Sequence, residues 1–337
     1  MNIFTQFIKN KFNHTLLTDV LACDRILNWF VFDIDAITPC CEMPHNGELN
    51  ISLYDHDGNS DLLQRKIQLI KNINHNKNHI CRNCYRIKKY DKIEKKDFTT
   101  TVISLSFDKT CNIRCSYCFM SSPETRKLLI RDTKHKEHVR KKVMEFLDTI
   151  PESSLNSIGW TGGEPFLLPE FDSFYSKLVS LKPTYLNIYS NLTTYHSNIY
   201  PKSTPESIGI MCSIDAGTRE TYLKIKGKDY FYNVVENIKK YCDINPDSIY
   251  IKYLFCEYNS DKKEIDSFIN IMKSCGVIHI FISLNDFEMN SLHQDMIDNM
   301  IYFITECKKY GFYVHNYIRK QIPEVDCILP KSESISI

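Results

Sequence analysis

Short apolar runs alternate with longer amphipathic segments along most of this chain, and this alternation constrains the fold more than any other feature. The apolar runs cover residues 101–107, 157–161, 185–190, 208–214, 248–255 and 278–283. The segments between them have the helical spacing of apolar residues, near residues 134–149, 170–181, 218–241, 260–275 and 291–310. Strands separated by helices form parallel βαβ units. Six such units are fewer than the eight of a complete TIM barrel, so the sequence predicts an α/β fold built as a partial (β/α)6 barrel.

Three cysteines stand directly after the first predicted strand, in the segment Cys111-Asn-Ile-Arg-Cys115-Ser-Tyr-Cys118. Parallel α/β folds carry their chemistry at the carboxyl ends of the strands, where this loop is expected to lie. Three thiolates can bind three irons of a cubane cluster and leave the fourth iron without a protein ligand. Such an open position distinguishes a catalytic metal centre from a closed structural one. The alternative, a closed zinc site, requires a fourth ligand, for which His135 and His138 are the nearby candidates.

The cysteine loop resembles the signature of the radical S-adenosylmethionine (radical SAM) superfamily, whose CxxxCxxC spacing carries an aromatic residue, here Tyr117, before the last cysteine. The resemblance extends over about residues 99–285. It implies a [4Fe–4S] cluster whose open iron is chelated by S-adenosylmethionine, and reductive cleavage of that cofactor to a 5′-deoxyadenosyl radical. The radical abstracts hydrogen from a substrate, which is chemistry that the cofactor rather than a side chain carries. A reductant such as a flavodoxin or ferredoxin is the implied partner.

The second predicted strand ends in Gly162-Gly163-Glu164-Pro165. Two glycines allow the backbone to approach a ligand closely, and the proline restricts the turn that follows. Alone, the segment would be an ordinary turn. It is similar to the GGE motif of the radical SAM family, and the resemblance implies that its backbone groups bind the amino group of the cofactor.

The third and fourth predicted strands end in further polar residues. Ser190 and Asn191 resemble a segment that lies near the cofactor in related enzymes, although Leu192 replaces the glycine of that segment. Ser213 and Asp215 share one face of the fourth strand, which in a barrel faces inward. Their side chains can hydrogen-bond the carboxylate or the ribose of the cofactor. The alternative role for Asp215 is to cap the helix that follows.

Four further cysteines before the barrel form a second candidate metal site: Cys40, Cys41, Cys81 and Cys84. A C-x-x-C pair with a distant partner pair is ordinary spacing for zinc or an Fe–S cluster, and His45 or His79 could replace one thiolate. Residues 34–84 resemble the accessory SPASM or twitch module of radical SAM enzymes, placed here before the barrel rather than after it. The resemblance implies an auxiliary [4Fe–4S] cluster; a structural zinc site is the alternative.

The remaining cysteines are scattered singly, and we predict that they are small buried side chains rather than ligands. They are Cys23, Cys212, Cys242, Cys256, Cys275, Cys307 and Cys327. Fourteen cysteines with no secretory signal and no apolar run of about 20 residues indicate a cytoplasmic protein with reduced thiols.

Charge and composition bound the domains and the partners. The 42 basic and 41 acidic residues give a net charge of +1, which favours neither nucleic acid nor a membrane surface as a partner. The charged run over residues 86–98 predicts a linker or a solvated helix. The expected division is therefore an Fe–S module with linker over 1–98, the barrel with its C-terminal helix over 99–325, and a tail over 326–337.

These features together predict a radical SAM oxidoreductase. An auxiliary cluster could accept an electron from the substrate radical or bind the substrate through an open iron. The substrate is expected to be a small polar metabolite such as a sugar, and the alternative is a ribosomal precursor peptide that the enzyme matures. A non-catalytic Fe–S or zinc scaffold is the hypothesis of another class. Hydrogen abstraction depends mainly on positioning, so no residue is assigned as a catalytic acid or base.

Overall fold

The computed structural model describes residues 15–33, 36–40, 51–52, 62–84, 86–99, 101–123, 133–199, 208–285, 292–318 and 322–329. The chain forms two compact units. The first unit comprises residues 1–109, 131–162 and 172–186, and the second comprises residues 110–130, 163–171 and 187–337. Within the described ranges, no helix is both long enough and apolar enough to cross a membrane.

The first unit contains two sheets and most of the N-terminal helices. Its strands are β1 (Thr15–Ala22), β2 (Trp29–Phe32), β3 (Ala36–Thr38), β4 (Ile51–Ser52), β5 (Lys88–Glu94), β6 (Val102–Leu105) and β7 (Ser157–Trp160). Its helices are α1 (Asp24–Asn28), α2 (Leu62–His75), α3 (Thr133–Leu147) and α4 (Phe171–Ser180), of which α4 begins at the boundary of the unit. Strand β6 pairs in parallel with β2 and β7, while β3 pairs antiparallel with β2 and β4.

The charged run over 86–98, predicted as a linker or a solvated helix, is instead largely a strand. Strand β5 pairs antiparallel with β1, in a register that runs from Thr15 opposite Glu94 to Ala22 opposite Lys88. Ile93 is the fully buried residue of β5, while most of its charged side chains lie at the surface. The prediction was wrong because a solvated strand with one buried apolar residue has the same composition as a solvated helix.

The second unit continues the alternation of strands and helices. Its strands β9 (Ile208–Ser213), β10 (Ile249–Phe255), β11 (His279–Leu284) and β12 (Tyr313–Asn316) pair in parallel in that order, and β8 (Tyr185–Tyr189) spans the boundary between the units. Its helices are α5 (Arg219–Lys226), α6 (Phe231–Ile244), α7 (Lys262–Ser274), α8 (Gln294–Lys309) and α9 (Pro323–Asp326). Between β10, α7 and α8 lies an aromatic core in which the rings of Tyr253, Phe268 and Phe303 contact one another.

The predicted α/β class is confirmed, because each of the six predicted strands is present and parallel pairing joins those within each unit. This succession of parallel strands and helices is the one expected of a partial TIM-like barrel of the radical SAM type. Strands β2 and β12, each four residues long, also pair in parallel and were not predicted.

The single helical segment predicted over 218–241 is two helices, α5 and α6. The break is at Gly227, which adopts a left-handed conformation with φ of 69° and donates its N–H to the carbonyl of Leu223. A Cβ atom at this position would lie 2.8 Å from the carbonyl oxygen of Arg114. Glycine is therefore required here both by the backbone angle and by the close approach of the cysteine loop.

Candidate functional site

The cysteine loop of the second unit, residues 111–118, is hydrogen-bonded to the carboxyl end of α5. The backbone N–H of Arg114 donates to the carbonyl of Lys226 at 2.9 Å, and that of Ser116 donates to the carbonyl of Ile225 at 2.8 Å. Carbonyls in the last turn of a helix have no partner within the helix, so they are available for such bonds. Two backbone hydrogen bonds and the missing side chain of Gly227 thus set the position of the loop.

The three thiols of this loop suit an Fe–S cluster. Cys111, Cys115 and Cys118 are each half-buried, and none of the described cysteines forms a disulfide. Burial raises the pKa of the Cys111 thiol to about 11. The side-chain amide of Asn191 donates to Cys111 Sγ at 3.8 Å, and hydrogen bonds to cluster-ligating sulfurs are among the features that tune an Fe–S cluster. Three soft thiol ligands with an amide donor beside them fit a [4Fe–4S] cluster with one iron left open.

Asn191 also belongs to a polar network that supports the loop. Its Nδ2 donates to Asn112 Oδ1 at 2.9 Å, and Asn112 Nδ2 donates to Thr193 Oγ1 at 2.8 Å. The Thr193 N–H returns a bond to Asn191 Oδ1 at 2.9 Å. Asn112 and Thr193 were not predicted as site residues, because nothing in the sequence around Asn112 indicates a partner about 80 positions away.

Leu192 adopts the backbone conformation that glycine favours. Its φ is 53°, and its side chain is completely buried. Two hydrogen bonds hold this conformation: the Leu192 N–H donates to Ser190 Oγ, and the side-chain amide of Asn237 donates to the Leu192 carbonyl. A left-handed non-glycine residue costs about 1–2 kcal/mol, which the buried leucine side chain can offset. Leu192 therefore adopts here a left-handed backbone conformation that glycine would adopt at lower cost.

Glu164 is buried, and three donors from the same unit surround its carboxylate. The Ser190 hydroxyl donates to Oε1 at 2.7 Å, the Asn191 N–H donates to Oε2 at 2.5 Å, and the Phe166 N–H donates to Oε1 at 3.0 Å. Burial raises the pKa of Glu164 to about 7, although these hydrogen bonds act in the opposite direction. The carboxyl group of the Gly-Gly-Glu-Pro segment thus binds the turn after β8.

The other residues of that segment have structural roles as well. Gly162 has φ of 114°, and a Cβ atom there would lie 2.7 Å from the carbonyl oxygen of Asp108 within the first unit. Gly163 is half-buried and is the first residue of the segment 163–171, which belongs to the second unit. The buried Pro165 begins a short 3-10 turn over Pro165–Leu167. Because the two glycines have no side chains, a ligand can approach their partly exposed backbone closely.

The pKa of Glu164 predicts a pH dependence of stability. The pKa of Glu164 in the folded chain, about 7, lies above its ordinary value of 4.5. Between these two pH values the folded chain therefore binds one more proton than the unfolded chain. The resulting stabilisation, about 3 kcal/mol, is complete below pH 4.5 and is lost as the pH rises through about 7. We expect Glu164→Gln, which mimics the neutral acid, to remove this part of the slope.

Urea unfolding of the metal-free chain at about pH 5 and about pH 8 measures the effect as a difference between the wild type and Glu164→Gln. Glu257→Gln, at an exposed position, is the matched control and should leave the slope of the wild type unchanged. Equal slopes for wild type and Glu164→Gln would contradict the raised pKa.

Asp215 lies at the centre of a buried charge network. Its Oδ2 accepts from Lys226 Nζ and from the Tyr117 hydroxyl, each at 2.5 Å, and its Oδ1 accepts from the Leu254 N–H at 2.7 Å. Lys226 Nζ also donates to the Tyr117 hydroxyl at 2.7 Å. Burial opposes the charge of Lys226, but the attraction of Asp215 outweighs it and raises the pKa of the lysine. The network joins the cysteine loop to the ends of β9, β10 and α5.

The alternative role of Asp215 as a helix cap is excluded, because Thr218 caps α5 with its side chain. Lys226 was missed by the sequence analysis, since a lysine in the last turn of a helix is usually solvated. Ser213, predicted beside Asp215, is half-buried at the last position of β9.

The N-terminal cysteines lie in the first unit. Cys40, Cys81 and Cys84 line one cavity together with Cys23, which had been predicted to be an isolated buried thiol. Cys23 is buried, as predicted, and shares this cavity with three cysteines that were predicted as ligands. Cys327, which was predicted to be buried as well, is exposed. Cys41 and His45 are outside the described residues. His79 accepts the Cys81 N–H at Nδ1, so this nitrogen caps the turn over Ile80–Asn83.

Among the described residues, no three His, Cys, Asp or Glu side chains converge as tightly as a site for one metal ion requires. A polynuclear cluster does not require that convergence, because each cysteine binds a different iron. His135 and His138, the alternative zinc ligands, lie on α3.

Comparison with known proteins finds a family match over just under half of the chain. Residues 105–269 match the Radical SAM superfamily. The GTP 3′,8-cyclase of Nautilia profundicola is 24% identical over 225 residues, which cover 66% of this chain and 67% of the relative. The probable GTP 3′,8-cyclase of Saccharolobus islandicus is 26% identical over 53% of this chain and 55% of the relative. The chain thus spans about half to two thirds of the length of these curated relatives.

Solved structures with a similar course of the chain include two with bound cofactor. The structure described as native anSMEcpe with bound AdoMet has a TM-score of 0.47 and 18% identity. The matched region covers 69% of this chain and 68% of the chain in that structure. Streptococcus suis SuiB bound to S-adenosylmethionine has a TM-score of 0.47 and 12% identity, with coverage of 67% and 54%.

Proposed function

We propose that this chain is a radical SAM enzyme that cleaves S-adenosylmethionine, with Cys111, Cys115 and Cys118 as the ligands of its [4Fe–4S] cluster, because residues 105–269 match the Radical SAM superfamily. The observation that carries the proposal is the loop itself, which holds three half-buried thiols and is hydrogen-bonded to the carboxyl end of α5. When bound, the cluster and S-adenosylmethionine supply a 5′-deoxyadenosyl radical that can abstract hydrogen.

The polar residues around the loop have a positioning role in this proposal. Glu164 holds the turn that carries Ser190 and Asn191, and Asn191 in turn donates to the first cysteine. Tyr117 and Asp215 hold the end of the loop that carries the last two cysteines, through Lys226. Since protein donors bind both carboxylates, we assign Glu164 and Asp215 to the support of the backbone.

The residues left to face the cofactor are the half-buried ones. Gly163 lies in the segment that follows β7, and Ser213 is the last residue of β9; both are partly exposed. We propose that the backbone of Gly163, together with the side chain of Ser213, contacts S-adenosylmethionine. These groups can bind and orient a cofactor without themselves exchanging a proton with it.

We propose a small polar metabolite as the substrate. The curated relatives are named GTP 3′,8-cyclase, so a purine nucleotide is the first compound of this class to examine, followed by sugars. The proposed setting is the cytoplasm, with a reductant such as a flavodoxin or ferredoxin. Residues 1–98 are proposed to form an accessory metal module in the manner of a SPASM or twitch domain, and oxidation as the net reaction depends on that module.

Cofactor cleavage tests the proposed function. We expect the full chain, reconstituted anaerobically with iron and sulfide and then reduced, to form 5′-deoxyadenosine from S-adenosylmethionine. A substrate of the right class should raise this rate above the uncoupled level, with product formed in step. Omission of the reductant is the control. Folded protein that holds about four irons at the loop and releases no 5′-deoxyadenosine would overturn the proposal and favour an Fe–S scaffold.

The identity of the substrate class is read from the same assay. Stimulation by GTP or by a sugar nucleotide supports a small metabolite. Stimulation by a precursor peptide alone, with a mass change in that peptide, would replace this class with peptide maturation.

A further inference from the structure

We propose that Cys23, Cys40, Cys81 and Cys84 are the four ligands of a coordinatively closed Fe–S cluster in the first unit. All four line one cavity of about 240 Å³, although they are spread over more than 60 positions of the chain. This ligand set contains Cys23, which stands alone in the sequence, and is complete without Cys41. The inference concerns the accessory module of the proposed function, but it does not depend on radical chemistry at the other cysteine loop.

The four thiols are delivered by separate elements of one small core. Cys23 lies between β1 and α1, and Cys40 follows β3, where the Thr38 hydroxyl donates to the Cys40 carbonyl at 3.2 Å. Cys81 and Cys84 bracket one 3-10 turn, in which the Cys84 N–H donates to the Cys81 carbonyl at 3.1 Å. The backbone positions of these four cysteines are therefore set by separate elements of the fold.

A shared hydrophobic core holds these elements together. Cys23 and Cys81 are buried among apolar side chains of β1, α1, α2 and β5, including the fully buried Ile70, Ile73 and Ile93. Four cysteines that line one cavity are unfavourable as buried thiolates unless a cation or a cluster neutralises their charge.

The size and lining of the cavity favour a cluster over a single ion. A tetrahedral zinc site with Zn–S of about 2.3 Å requires its four sulfurs to lie about 3.8 Å apart and leaves no cavity between them. The space of about 240 Å³ is large enough for a cubane of four irons and four sulfides. Ile26, Leu69, Ile80 and Ile87 supply apolar walls, and Arg86 is the charged residue of the lining, whose positive charge complements an anionic cluster.

A complete set of four thiolates has a consequence for the role of the cluster. Each iron of a [4Fe–4S] cube then has its own cysteine, so no iron remains to bind S-adenosylmethionine or a substrate. The loop with three cysteines, in contrast, leaves one iron open. The closed cluster is therefore suited to accept or donate one electron, or to hold the first unit together, and not to bind substrate directly.

The experiment uses the full chain in which Cys111, Cys115 and Cys118 are replaced by alanine, so that any cluster belongs to the first unit. After anaerobic reconstitution with ferrous iron and sulfide, we expect about four irons and four sulfides per chain. Cys23→Ala in this background should lose at least half of this iron. Cys41→Ala and the exposed Cys327→Ala should retain it.

A second variant keeps the test decisive if Cys23→Ala fails to fold. Cys23→Ser offers an oxygen ligand, and we expect it to retain iron with a shifted midpoint potential, whereas Cys41→Ser keeps the potential of the parent. The inference is overturned if Cys23 variants keep the iron content and potential of the parent while Cys41 variants lose them. It is also overturned if the parent binds one zinc ion and no iron. Neither outcome bears on cofactor cleavage by the intact loop, so failure here is distinct from failure of the proposed function.

Discussion

Replacing Cys111, Cys115 and Cys118 together by alanine is expected to reduce 5′-deoxyadenosine formation to the level of the reaction without enzyme. The loss should be complete because, among the described residues of the second unit, no other cysteines are gathered in one partly exposed loop. The same variant should hold about four fewer irons than the wild type. Iron analysis and chromatography of the cleavage product, on the same anaerobic preparation, measure both effects.

A matched set of cysteine variants separates ligand loss from general damage. Cys242 and Cys275 lie on other elements of the second unit and are buried, so alanine there should leave the iron content and the cleavage reaction in place. Iron that remains in the triple variant is expected to belong to the first unit. If the triple variant still cleaved S-adenosylmethionine at the rate of the wild type, the assignment of the loop would be wrong.

Lys226→Met is expected to lower the free energy of unfolding by about 3–5 kcal/mol, because it leaves the carboxylate of Asp215 buried without its cation. The side chains of Lys226 and Asp215 are 2% and 0% exposed, so solvent screens this pair little. The remaining donors to Asp215, the Tyr117 hydroxyl and the Leu254 N–H, do not neutralise its charge. Urea unfolding of the metal-free chain near neutral pH measures the loss.

The double variant Asp215→Asn with Lys226→Met gives a sharp comparison. It removes both charges and retains a polar group that can accept the Leu254 N–H, so it should recover much of the stability that Lys226→Met loses. Lys239→Met is the control, since the pair of Lys239 with Asp243 is solvent-exposed and should change stability little. A double variant as unstable as Lys226→Met would show that packing, rather than the unpaired charge, causes the loss.

Several elements of the fold follow from local sequence patterns. The six predicted strands are present because apolar runs of this kind are buried wherever parallel strands lie between helices. The cysteine loop was found from spacing alone, since three cysteines within one loop must lie close together in any fold. Glu164 and Asp215 were also found, because both follow directly after a predicted strand, where parallel α/β folds carry their polar residues.

The partners of these residues required the tertiary structure. Asp215 meets the Tyr117 hydroxyl across 98 positions of the chain, and Lys226 meets it across 109. No periodicity relates residues so far apart, and a lysine in the last turn of α5 has the same sequence context as a solvated one. The assignment of Asp215 as a helix cap or as a member of a buried network could therefore be decided only by the packing of β9, β10 and α5.

The sequence by itself determined the fold class, the positions of six parallel strands along the chain and the three-cysteine loop, because each of these is encoded by neighbours within one element or one turn. The tertiary structure decided what lies beside them. It made the charged run over Lys88–Glu94 a strand, since pairing with β1 requires only Ile93 to be buried. It also brought Cys23 to Cys81, because the apolar faces of β1 and α2 share one core. Such contacts depend on which faces pack together, and a single sequence specifies this only through the whole fold.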